Sequence, residues 1–200
     1  MRWRTAARTV GGLCLLTAAG VLAVAAFHQF DPSAQSRQHS SAARLETQWR
    51  SRDATPAPSH GAPFAFLRIP RLGAAWRFTV AQGTTPDVLA TGPGHFDGTA
   101  LPGAVGNFAV AGHTVGGGDP FQRLSTLRTG DVIFVDTKDR TFTYRVTAAP
   151  TVIPVTDVGI TDPVPNTPRA TPTRPLITLV SCLWPFPEDA KRLAVVGTLQ

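Results

Sequence analysis

Residues 175–182 read Pro-Leu-Ile-Thr-Leu-Val-Ser-Cys, residues 183–190 Leu-Trp-Pro-Phe-Pro-Glu-Asp-Ala, and residues 191–199 Lys-Arg-Leu-Ala-Val-Val-Gly-Thr-Leu. The run 176–180 is apolar and β-branched, the pattern of a strand buried on both faces, and it stops at Cys182 before a proline-rich turn. A thiol is thereby placed at the mouth of a sheet. Residues 191–199 read as a second strand, so the turn carries the chain back and sets Arg192 near Cys182. Positive charge beside a thiol favours the thiolate, which is the nucleophilic form. The default reading of a cysteine at a strand end is a small buried hydrophobe. Two features elsewhere in the chain argue against it here.

The first is cysteine usage. The chain has two cysteines, Cys14 and Cys182. Cys14 lies in an uncharged apolar run, residues 9–27, preceded by Arg2, Arg4 and Arg8. A run of 19 residues can cross the hydrocarbon core as a helix, and the arginines predict a cytoplasmic N-terminus. Ala23-Val24-Ala25 offers a competing reading as a signal-peptide cleavage site, but the run exceeds a usual signal core, so a retained single-pass anchor is expected. The two thiols then lie in different compartments and do not pair. An exported domain that keeps one unpaired cysteine usually has a use for it.

The second feature is His113, which follows Gly112 at the end of a short strand-like run, 107–111, and precedes the glycines 116–118. Cys, His and Arg at three strand mouths form a constellation in which a lone histidine would not stand out.

Composition fits a loop-rich β-protein: 42% hydrophobic, 16% charged, 18 Gly and 18 Pro in 200 residues. The formal charge of +6 shrinks on inspection, because residues 1–60 hold seven Arg against three acids. Residues 61–200 are nearly balanced, with twelve basic and ten acidic side chains, so no nucleic acid is expected as partner. Residues 28–61, rich in Ser, Ala, Gln, Arg and Pro, read as a flexible linker with at most one weak helical turn. From residue 62 the chain alternates short strands with turns, at 64–69, 76–80, 107–111, 132–136, 141–147 and 152–155. Two short helices are expected, at 85–90 with Thr85 as cap and at 119–124. The glycine-rich stretch 91–106 and the proline-rich stretch 156–174 read as loops, and a loop as long as the second is usually functional. Seven or eight short strands with no βαβ alternation predict an all-β, closed or nearly closed barrel.

Gly112-His113, Asp119-Pro120-Phe121-Gln122-Arg123-Leu124, Gly130-Asp131-Val132-Ile133, Ile177-Thr178-Leu179-Val180-Ser181-Cys182 and Lys191-Arg192-Leu193-Ala194-Val195 together resemble the sortase family. The lead-in Gly92-Pro93-Gly94-His95-Phe96 with Gly106-Asn107 is most similar to the class E sortases of actinobacteria. The likeness covers residues 62–200. It implies an eight-stranded sortase-type β-barrel and a membrane-anchored cysteine transpeptidase with an extracellular catalytic domain. Carried over by motif, Cys182 is the nucleophile, His113 the acid that protonates the leaving amine, and Arg192 the group that steadies substrate and oxyanion. The partners implied are surface proteins bearing a C-terminal sorting signal, cut between Thr and Gly, and an amine of the cell-wall peptidoglycan precursor, with membrane lipid around the anchor. Ser181 stands where the family often has Thr, and Phe96 where class E members often have Tyr. Both are expected to touch substrate, and Phe96 leaves the choice between Leu-Ala-x-Thr-Gly and Leu-Pro-x-Thr-Gly open. No acidic loop cluster matches the calcium site of class A sortases, so no metal or other cofactor is expected. Two other classes of reading remain at this stage, a cysteine hydrolase with the same residues and a tethered β-domain that binds without catalysis.

Overall fold

A computed structural model of the chain describes residues 32–51, 57–182 and 191–200. The apolar run 9–27 and the turn 183–190 lie outside the described residues. Among those described, no helix is long and apolar enough to cross a membrane.

Among the described residues nine strands form the body: β1 (Pro63–Arg68), β2 (Arg77–Gln82), β3 (Gly94–His95), β4 (Gly106–Gly112), β5 (Val132–Asp136), β6 (Thr141–Val146), β7 (Thr151–Pro154), β8 (Pro175–Cys182) and β9 (Lys191–Leu199). They run in the order β6-β5-β1-β2-β3-β4-β8-β9, and β9 pairs back with β6. Eight strands therefore close a barrel. The ninth, β7, lies outside the ring on the first half of β9.

The core is the inward face of these strands. Phe108 and Val110 of β4, Ile177 and Leu179 of β8, and Leu193 and Val195 of β9 meet Leu67, Val80, Val135 and Tyr144 inside. Alternation along each strand then sends the intervening residues outward. On β8 those outward residues are buried too, because Val180 and Ala194 join Ile153 and Ile160 in a second, smaller apolar cluster. That is why 176–180 reads as apolar without alternation.

The expected strands are found within one or two residues, with β3 a two-residue addition inside the stretch 91–106. One short helix is found as expected: α2 (Pro86–Leu89) starts at Thr85 with Pro86 in its first turn. Residues 119–124 are different. Asp119 adopts φ +54°, and its carboxylate accepts from the Gly116 N–H at 2.5 Å rather than capping forward. The chain then tightens into i, i+3 turns ending in a 3₁₀ turn at Leu124–Thr126. Phe121 and Leu124 are nonetheless both fully buried, as a shared face requires.

The larger difference lies in residues 28–61. Pro32–Arg50 is a 19-residue helix, α1, laid across the outside of β1 and β2. Ala34 and Leu45 are buried, and Trp49 meets the Phe66 ring edge-on at 5.3 Å. Such a sparse apolar face does not announce itself in the sequence, because one of its docking residues is polar. Gln38 Oε1 accepts from the Thr79 backbone N–H at 3.0 Å and from Thr79 Oγ1 at 2.9 Å. β3 covers only Ala81 and Gln82 of β2, so the amide of Gln38 supplies the partner that a longer strand would have given Thr79.

Candidate active site

Three neighbouring strands bring the expected residues into one row. β4 and β8 are parallel with Gly112 opposite Ser181, so His113, the next residue, comes level with position 182. β8 and β9 are antiparallel with Cys182 opposite Arg192. Residues directly opposite on adjacent strands share a face of the sheet. His113, Cys182 and Arg192 thus occupy one row across the mouth of β4, β8 and β9, at outward positions by the alternation that sends Val110, Leu179, Leu193 and Val195 inward. Lys191 is exposed and opposes Pro154, so the alternation selects Arg192 of the two cations.

His113 owes its position to its neighbours. A Cβ at Gly112 would fall 2.6 Å from the Phe121 ring, so only glycine lets the strand end pack against that buried ring. The Phe121 N–H in turn donates to the His113 carbonyl at 2.9 Å. Half-burial pushes the imidazole below the ordinary histidine value, and the nearby Asp119 carboxylate opposes that shift.

Phe96 lies on the same outer surface. It follows β3, its N–H donates to the Ala109 carbonyl at 3.0 Å, and it packs on the cluster of Ile153, Ile160, Val180 and Ala194. Val180 and Ala194 are each two residues from the row of His113, Cys182 and Arg192, roughly 7 Å along their strands. Phe96 therefore caps a buried apolar cluster that lies next to the row. Ser181 does not. It is 1% exposed and pairs with Gly112 and Leu193 on the face turned into the barrel. Alternation forces this, since 181 and 182 cannot share a face, and the expected contact of Ser181 with substrate is corrected to a place in the barrel wall.

Two residues of the motif lead-in were given no role from the sequence. Asn107 is buried and donates from Nδ2 to the carbonyls of Ile160 and Asp162, both at 3.1 Å, while its Oδ1 accepts from Thr178 Oγ1 at 2.7 Å. It fastens the long loop 155–174 over the outer apolar cluster. A polar Asn beside an apolar strand run was the available signal. His95 is also buried, with Nδ1 2.9 Å from Gln82 Oε1 and Nε2 2.8 Å from Thr99 Oγ1, its ring between Phe64 and Phe108. Burial lowers it, and it braces the turn that presents Phe96.

The Sortase domain model matches residues 67–200. This chain belongs to the sortase family. Among curated proteins, Sortase SrtE1 of Streptomyces coelicolor is 31% identical over 191 residues, covering 90% of this chain and 54% of its own length. The chain thus spans about half the length of that relative. Among solved structures, sortase E of Streptomyces avermitilis aligns with TM-score 0.64 and 39% identity over 71% of this chain and 90% of that one. Sortase E1 of Streptomyces coelicolor, crystallised with a tripeptide in its active site, aligns at TM-score 0.61 and 33% identity over 72% and 91% of the two chains. The sortase barrel and the likeness to class E members agree with the motifs read from the sequence.

Proposed function

We propose that this sortase is a cysteine transpeptidase of the cell surface, with Cys182 as nucleophile, His113 as acid and base, and Arg192 as the donor to substrate carbonyl and oxyanion. The observation that carries the reading is the row formed by His113, Cys182 and Arg192 at the ends of β4, β8 and β9. In the reaction proposed, the thiolate attacks the Thr carbonyl of an LPXTG- or LAXTG-type signal, and the Thr–Gly bond breaks as His113 protonates the leaving amine. A thioacyl enzyme remains. An amine of the cell-wall precursor then attacks it, giving up a proton to His113, and the thiolate leaves. Each step moves one proton between nitrogen and His113, so a half-buried imidazole whose charge is tunable suits the task. Arg192 fits the oxyanion role because a planar guanidinium presents two donors in fixed geometry.

Phe96, a partly exposed member of the outer apolar cluster beside the loop fastened by Asn107, offers an apolar contact for the signal's leading Leu. The arginines before residues 9–27 place this activity, in the proposal, outside a membrane that the N-terminal run anchors. Incubating the chain with both signal peptides, with and without a small amine, tests the whole. Amine-dependent ligation product with a thioacyl adduct at Cys182 is the expected result. Cleavage at a rate and product distribution indifferent to amine would make it a hydrolase, and ligation by Cys182→Ala would end the covalent mechanism.

A further inference from the structure

The loop that carries His113 is poorly suited to hold itself. Gly116, Gly117 and Gly118 and then Asp119 all adopt positive φ, between 54° and 95°, and glycine has the most backbone freedom to lose. What the loop leans on is α2. A Cβ at Gly117 would lie 2.4 Å from the Leu89 carbonyl oxygen and 3.4 Å from His113 Cδ2, so Gly117 is a thin spacer between the last turn of α2 and the imidazole. α2 has only four residues, too few to be rigid alone. Its exit is held by α1: Arg37 Nη2 donates to the Ala90 carbonyl at 3.2 Å, and Gln38 Nε2 donates to the Thr91 carbonyl. The other end of the same amide, Oε1, is fixed to Thr79 in the barrel wall. Ala34, fully buried one turn earlier, approaches Gly118 itself, 3.9 Å from where a Cβ would stand.

We propose that α1 is a positioning element for the acid of the reaction, and that Gln38 is the residue through which it acts: docked on β2, it holds the exit of α2 against Gly117 and so sets the place of His113. The inference rests on the reading of His113 given above. A helix that joins the sequence-predicted anchor to the barrel therefore bears on the rate and not only on tethering. The charged group that bears on the His113 ring is Asp119 on its own loop; Arg192 stands in the same row, and the α2 end presents the Leu89 carbonyl to Gly117. Loosening the loop restores solvent to the ring and should bring its titration up toward the ordinary histidine range.

The test uses the full chain in detergent, in a Cys14→Ala background, and reads His113 by NMR titration of its ring as well as by turnover. Gln38→Ala is expected to move the His113 titration upward, raise amide exchange across residues 114–119, and lower kcat about three- to tenfold with KM within twofold. Arg37→Ala, which removes a more exposed contact, should act in the same direction and less, and it serves if Gln38→Ala folds poorly. Glu46→Gln, which weakens the exposed ion pair with Arg77 at the far end of the helix, should change none of these. An unmoved His113 titration in Gln38→Ala overturns the proposal, whether activity is retained or falls together with melting temperature. That result differs from failure of the transpeptidase reading, which would appear as transfer surviving Cys182→Ala.

Discussion

Replacing Asn107 by Ala removes three hydrogen bonds at once, two donated to the carbonyls of Ile160 and Asp162 and one accepted from Thr178. Each is worth about 1 kcal/mol net, and a buried group left without a partner costs about 1–3 kcal/mol more. Thr178 is 0% exposed, so its hydroxyl has no route to water. The two carbonyls belong to a surface loop and can swing out to solvent, which discounts their share. The sum is about 3 kcal/mol, and at about 3 °C per kcal/mol for a domain of this size the melting temperature should fall by roughly 10 °C. Released, the loop 155–174 no longer presses Ile160 onto Val180 and Ala194, so the apolar surface beside Phe96 opens. The kinetic consequence is a KM for the signal peptide raised more than kcat is lowered. Asn107→Asp should be worse than Ala, because a carboxylate would face two carbonyl oxygens in a buried site. Calorimetry with peptide kinetics on the same samples decides the matter. A fall in melting temperature under 2 °C, or a loss confined to kcat, would refute the role given to Asn107.

Arg192→Ala should lose on the order of a hundredfold in kcat, Arg192→Lys should recover only part of it, and Lys191→Ala should be near wild type; steady-state rates on one peptide rank the three. Cys182→Ala and His113→Ala should abolish transfer with melting temperatures close to the parent, since both positions lie at strand ends. Asp119→Asn keeps an oxygen for the Gly116 N–H but removes the charge that raises His113, so the His113-dependent limb of the pH–rate profile should move to lower pH; a limb that stays put removes Asp119 from the electrostatics. Asp136 is held below the usual carboxylate range by its hydrogen bond from Arg68, with burial opposing. The stability it contributes is therefore full above the unfolded carboxylate pKa of about 3.9 and lost as pH falls through its lower folded value. Against Asp136→Asn, acid titrations of melting temperature should coincide below that window, part as pH rises through it and stay apart above it, modestly, because Arg68 is partly exposed.

Much of the barrel was legible because strands advertise themselves by apolar runs between turns, and here most of those runs face one interior. The candidate residues share one feature of that pattern, since each stands where such a run stops or starts: His113 after β4, Cys182 at the end of β8, Arg192 at the start of β9. Three kinds of feature escaped. α1 docks through Gln38, whose amide matters only once Thr79 is known to lack a partner on the β3 side of β2. Residues 119–124 carry a helix-start signature, but preceding glycines let Asp119 turn left-handed and spend its carboxylate backward on Gly116. Ser181 looked like a site residue by its place in the family motif, whereas a strand places it and Cys182 on opposite faces. In each case local pattern gave a residue its type and long-range pairing gave it its job.

The site's position follows from the same pairing. Residues 113, 182 and 192 can form one row only because β8 has a parallel neighbour on one side and an antiparallel neighbour on the other. The parallel partner β4 ends where β8 ends, which delivers His113 level with Cys182; the antiparallel partner β9 begins there, which delivers Arg192. An all-antiparallel sheet would alternate ends and starts at that edge, and the acid would have to come from a strand's beginning or from a loop. The parallel pair also leaves the chain after β4 pointing away from the barrel mouth, so the residues following His113 must turn back without a strand to guide them. Glycines 116–118 make that turn and give up rigidity in doing so. The stiffness His113 needs then has to be supplied from outside the loop, and α2 backed by α1 is the structure found in that place.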